Sequence, residues 1–186
     1  MKNRLDISND GINVYAKLKV NASKKGTYLL SMLIILEIAL ITYIGIEIGS
    51  EELLSTGIIP ILIVLLLIVG WPVKYLLWNI YGNEEIVINT KSISWSYDYG
   101  FYKTKLHTLK YDRLGTGYER IREVDGVELG RLIFCNYNIE DNLPEHIHNT
   151  TVLLDMKEIE EINNQIDIVF KTEFLEESNF IPFSDN

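Results

Sequence analysis

The sequence predicts an α+β membrane protein: a two-helix transmembrane hairpin inserted in a small antiparallel β domain that ends in a helix. Three observations carry this. Two apolar segments, residues 27–48 and 57–77, are separated by only a short acidic stretch; period-two alternation flanks them on both sides; and the chain closes on an amphipathic helical pattern. The first apolar segment would rise about 33 Å as a helix, enough to cross a hydrocarbon layer of about 30 Å. Only Glu37 and Glu47 place charge in it. The second has no polar side chain from Ile58 to Val69, and Lys74 comes only near its far end. The expected division is an N-terminal strand region (1–23), the hairpin (24–80), a cytoplasmic β domain with its helix (81–175) and a tail (176–186).

In chain order, Ile12, Val14, Ala16, Leu18 and Val20 alternate with Asn13, Tyr15, Lys17 and Lys19, the pattern of a half-buried strand. Ser8, Asn9, Asp10 and Gly11 supply turn chemistry before it, so residues 5–7 are expected to form a short partner strand. Lys24 and Lys25 then stand where the chain meets lipid headgroups, with Lys74 in the matching place after the second helix. Pro72 is expected to kink that helix, because it removes one backbone hydrogen bond. Trp71, Tyr75, Trp78 and Tyr81 form the aromatic belt expected at a membrane surface.

Orientation follows from the basic residues. The stretch 49–56 has no Lys or Arg, whereas Lys17, Lys19, Lys24 and Lys25 precede the hairpin and Lys74 and Lys91 follow it. Both termini are therefore expected on the cytoplasmic side, the chain being a multi-pass protein of the bacterial inner membrane. The net charge of −9 sits in the last part of the sequence: residues 141–186 hold 11 acidic and 2 basic residues, and the remainder is neutral. Such a balance argues against nucleic acid as a partner. The single cysteine, Cys135, forms no internal disulfide. No signal peptide is read, since the apolar run begins only at Tyr28 and is too long for one.

After the hairpin, alternation returns. Ile86 and Ile88 share one face, residues 89–91 turn, and Ile93, Trp95 and Tyr97 alternate with serines. Residues 101–109 read as an edge strand of mixed aromatic, Thr and Lys character. Gly115-Thr116-Gly117 reads as a break, and Asp125-Gly126 as the turn of a hairpin between 118–124 and 127–134. The polar stretch 136–150, with Pro144, reads as a loop. Asp155 and Glu158 form a capping box for a helix over about 155–174, with Ile159, Ile162, Ile166, Val169 and Phe170 on one face.

Six or seven short antiparallel strands and one closing helix describe a small curved sheet or barrel of the pleckstrin-homology type, with the hairpin inside it. The early strand, the paired apolar spans, the exit from Trp78 into a strand carrying Gly82 and Glu84-Glu85, and the final helix together resemble bacterial membrane proteins with a pleckstrin-homology-like domain, of the YcxB-like kind. That resemblance implies a membrane-tethered scaffold or interaction domain, and fold alone does not fix its task.

No phosphate loop, nucleophile elbow or zinc-protease motif is present, so the chain is expected to be neither an enzyme nor dependent on a cofactor. Glu145-His146-Ile147-His148 offers too few ligands for a structural zinc ion, and no metal is expected. Lys17, Lys19, Lys103 and Lys105 lie on expected strands, either as a headgroup site or as solvated edges. Glu37, mid-helix where a carboxylate is costly, is the intramembrane functional candidate; it is expected to be protonated and to hydrogen-bond within the bundle or to a second copy. Glu160, Glu161, Asp167 and Glu173 mark the candidate partner face, on the side of the last helix away from its isoleucines. The expected partners are the lipid bilayer, a protein of unknown identity and a second copy of the chain. The reading this favours is a membrane-anchored protein-interaction module, including an immunity-type protein that neutralises a toxin. The alternative is a lipid-binding or transport-associated component that uses Glu37 or a basic headgroup site.

Overall fold

The computed structural model describes residues 4–50, 58–139 and 143–178. It is α+β, with two antiparallel sheets and three helices among those residues. The chain divides into two compact units, 1–19 with 83–98 and 102–186, and 20–82 with 99–101.

The first unit holds all the strands. β1 (Leu5–Asn9), β2 (Val14–Lys19), β3 (Asn83–Ile88), β4 (Ser92–Asp98) and β5 (His107–Lys110) form one sheet in chain order. β6 (Leu114–Val124), β7 (Val127–Tyr137) and β8 (Pro144–Asn149) form the other. Alternation makes these strands: Val14, Ala16 and Leu18 are buried while Tyr15 and Lys19 are exposed. Asp10 accepts from the backbone N–H groups of Ile12 and Asn13, which closes the β1–β2 turn and holds its carboxyl well below the usual range. Asp125 and Gly126 both take positive φ (53° and 77°), as the tight β6–β7 turn requires.

Helix α3 (Met156–Ser178) covers β1, β2 and β7 with Ile159, Ile162, Ile166 and Val169, all buried. Its capping box is reciprocal: the Glu158 N–H donates to Asp155 Oδ1 at 3.0 Å and the Asp155 N–H to Glu158 Oε2 at 2.9 Å. Arg4, just before β1, reaches both carboxylates, Asp155 at 3.3 Å and Glu158 at 3.0 Å. The first strand is thereby tied to the last helix.

Three expectations are corrected. Residues 144–149 form β8, hydrogen-bonded along β7, where the sequence suggested only loop. Residues 115–117 lie inside β6; Gly115 leaves room for the Tyr137 ring, which a Cβ would approach to 2.3 Å. Of residues 101–109, only the last three fall in a strand.

The second unit is helical. α1 (Lys24–Ser50) and α2 (Ile58–Tyr81) pack on each other, with Pro72 inside α2. The stretch Lys24–Ile46 is long and apolar enough to cross a membrane, and Ile34 is its one buried residue. Most of the acidic connection, 51–57, lies outside the described residues.

Candidate functional site

The side chains with most to explain lie between the two sheets of the first unit. In β3, Glu84 occupies the same face as the core residues Ile86 and Ile88 and is fully buried. Its neighbours across the sheet are Leu18 and Tyr97. A carboxylate there would be prohibitively costly unless its oxygens were matched. They are: Oε1 accepts from His148 Nε2 at 2.9 Å, and Oε2 from the N–H groups of Thr151 at 2.7 Å and Val152 at 3.1 Å. His148 is itself buried and stacks on Trp95 with ring centroids 4.4 Å apart. Trp95 also stacks on His107, at 5.9 Å. One carboxylate therefore fastens β3 to the end of β8 and to the two residues that follow Thr150.

This arrangement clamps two sheets. Beside it, Arg131, His146, Asn149 and Thr151 contribute to a cleft of about 300 Å³. Ring nitrogen Nε2 of His146 bonds the Asn149 side chain, and Thr151 Oγ1 donates to the Tyr97 hydroxyl at 3.3 Å. The two histidines of the Glu-His-Ile-His stretch thus have different tasks. A bulge between Phe134 and Cys135 lets His148 pair across from Phe134 and His146 from Cys135.

On the outer face of the first sheet, Glu85 is held by Lys17 at 3.0 Å and by Lys103. The Lys103 hydrogen bond is the chief reason that its carboxyl lies below the usual range, with Lys17 adding to it against partial burial. These two lysines are therefore engaged by a carboxylate. Lys105 is exposed.

Glu160, Glu161 and Asp167 are exposed on α3, opposite its buried isoleucines. Glu173 falls within α3, and its side chain is outside the described residues. Lys24 and Lys25 are exposed in the first turn of α1. Lys74 is exposed on α2, with Nζ 5.2 Å from the centre of the Tyr99 ring. Glu37 faces into the helical unit: Oε2 is shielded from solvent and has no hydrogen-bond partner among the described residues.

Sequence reasoning missed the Glu84–His148 pair and the Arg4 link. Glu84 had a signal, since it is in phase with Ile86 and Ile88, where alternation calls for an apolar side chain. His148 had none. The chain matches no protein-family model and no curated protein.

Proposed function

We propose that this chain is a membrane-anchored protein-interaction module, its helical unit crossing the bilayer twice and its β unit on the cytoplasmic side with both termini. The observation that carries this reading is the pairing of β2 with β3 across the helices. Lys19 lies opposite Asn83, and the Val20 N–H donates to the Gly82 carbonyl at 2.9 Å, so the chain leaves and returns at adjacent points. An excursion of two antiparallel helices that starts and ends side by side fits a double crossing, because an even number of spans brings both flanks to one face. The exposure of α1 supports lipid as its surroundings. Leu29, Ile35, Leu36 and Ile46 are each at least 60% exposed, and apolar side chains exposed along the length of a helix favour apolar surroundings. The absence of Lys and Arg from 49–56 favours a non-cytoplasmic location for that stretch.

Two sheets followed by a closing helix support a pleckstrin-homology-like architecture for the β unit, with α3 carrying the partner face. Glu160, Glu161 and Asp167 on that face repel anionic lipid and favour a basic protein, an immunity-type interaction being one such case.

A reporter enzyme active only outside the cytoplasm tests the topology. Fused at Ser55 it should be active, and fused at Asn186 inactive. Activity at Asn186 would overturn the double crossing. The partner face is tested by reversing Glu160 and Glu161 to Lys: folding should persist, and salt-sensitive capture of a basic partner should be lost.

A further inference from the structure

We propose that the turn at residues 99–101 is a third membrane contact, with Phe101 seated in the headgroup layer of the leaflet that receives the C-terminal end of α2. The inference rests on the membrane reading given above.

The turn is fastened to α2. Tyr99 packs on Trp78 with ring centroids 5.1 Å apart and planes tilted by 50°. Lys74 Nζ lies over the Tyr99 ring, 5.2 Å from its centroid. Gly100 has φ +88° and approaches Tyr81 so closely that a Cβ would sit 2.7 Å from the Tyr81 Cβ. Both features demand glycine. Lys74, Trp78 and Tyr81 are spaced as one helical face, and together they cover about 10 Å of axis, comparable to the polar layer that borders the hydrocarbon. The turn is therefore held at the level of the last two turns of α2.

Held there, Phe101 is 72% exposed. On α2, Trp71, Tyr75 and Tyr81 are also exposed, at 72%, 57% and 57%. Four aromatic rings on one end of the helical unit, with the Lys74 ammonium among them, match a headgroup boundary: amphipathic rings and cations favour it, and a bare phenyl ring is unfavourable in water. Continuity with the aromatic belt of α2 selects the bilayer over a protein as the occupant. Among the described residues that follow α2, this turn alone is grouped with the helices by its contacts.

The test places an environment-sensitive NBD dye on the full chain in liposomes, in a Cys135→Ser background, using Phe101→Cys, Tyr43→Cys or Val124→Cys. Tyr43 is an exposed position in α1 and Val124 an exposed one at the β6–β7 turn. Quenchers are a lipid carrying a nitroxide near its carbonyl and aqueous iodide. Expected is lipid quenching at 43, iodide quenching at 124, and at 101 lipid quenching about twofold or more above that at 124. Lipid quenching at 43 with iodide-only behaviour at 101 would overturn this contact and leave the membrane reading standing. Iodide-only behaviour at 43 would overturn both.

Discussion

Glu84 and Glu37 are the same residue in opposite circumstances. Each holds a carboxyl oxygen away from solvent, but Glu84 is met by one imidazole and two backbone N–H groups, while Glu37 leaves Oε2 without any partner among the described residues. The β unit folds around its buried acid and uses it as a joint between sheets. The helical unit merely contains its acid. A buried polar group that is fully matched orders its surroundings, whereas an unmatched one only subtracts from stability.

The largest effect should come from adding a buried acid with no matching donors. Val14 is fully buried and lies opposite Ile88, an equally buried apolar side chain. Val14→Asp should cost several kcal/mol, a large share of the 5–15 kcal/mol that holds a domain together. In detergent the β unit should lose its protease resistance. Unchanged resistance would mean that Val14 does not contribute to a shared core.

Next comes removal of the matched acid. Glu84→Leu leaves His148 and the Thr151 and Val152 N–H groups without an acceptor, and should lower stability by about 3–5 kcal/mol. Chemical denaturation followed by fluorescence of Trp95, which stacks on His148, reads this directly. A loss under about 1 kcal/mol would show that water replaces the carboxylate easily and that the joint is not a joint.

How much of this was legible depended on whether a residue serves its own strand or a distant one. Val14, Ala16 and Leu18 announce β2 because each buries itself on one face, and Asp155 with Glu158 announces α3 because the capping box is local. β8 was hidden: its side chains are mostly polar, it starts at Pro144, and among the described residues it pairs only with β7, so neither alternation nor composition marks it. Gly115 misled for a related reason. Its role is to accept the ring of Tyr137 from the neighbouring strand, and that need is not written beside it. The Glu84–His148 pair spans 64 residues of sequence, so its acid could be noticed as out of place but its partner could not be named.

A smaller effect is expected at the acid that is matched at the surface. Glu85, between Lys103 and Lys17, is held below its ordinary value of 4.5. The folded chain therefore binds fewer protons at this site than the unfolded one, so the stability it lends is complete above about pH 4.5 and is lost as pH falls through the lower folded value. The loss should be no more than about 1 kcal/mol, because the pair is partly solvated. Glu85→Gln should remove that part of the acid sensitivity and nothing at neutral pH beyond the same amount. A variant that keeps the full pH dependence would place its origin elsewhere, with Asp10 the next group to examine.

The last effect should reverse in sign. If Glu37 Oε2 has no partner, replacing the residue with Leu removes an unmatched polar group from an apolar helix pair, and stability should rise by a few tenths to about 1 kcal/mol. Glu37→Gln keeps a polar side chain of similar shape and should stay close to the original. Thermal unfolding of the detergent-solubilised chain measures both, and crosslinking in the same detergent reports self-association. A rise in Glu37→Leu with crosslinking unchanged would leave the two acids as opposites, one built into the fold and one carried by it. A fall of about 2 kcal/mol, or loss of crosslinking, would show instead that Glu37 gains a donor in the membrane from a second copy of the chain. In that case the helical unit, like the β unit, would be assembled around its acid, and the difference between them would lie in where the donors come from.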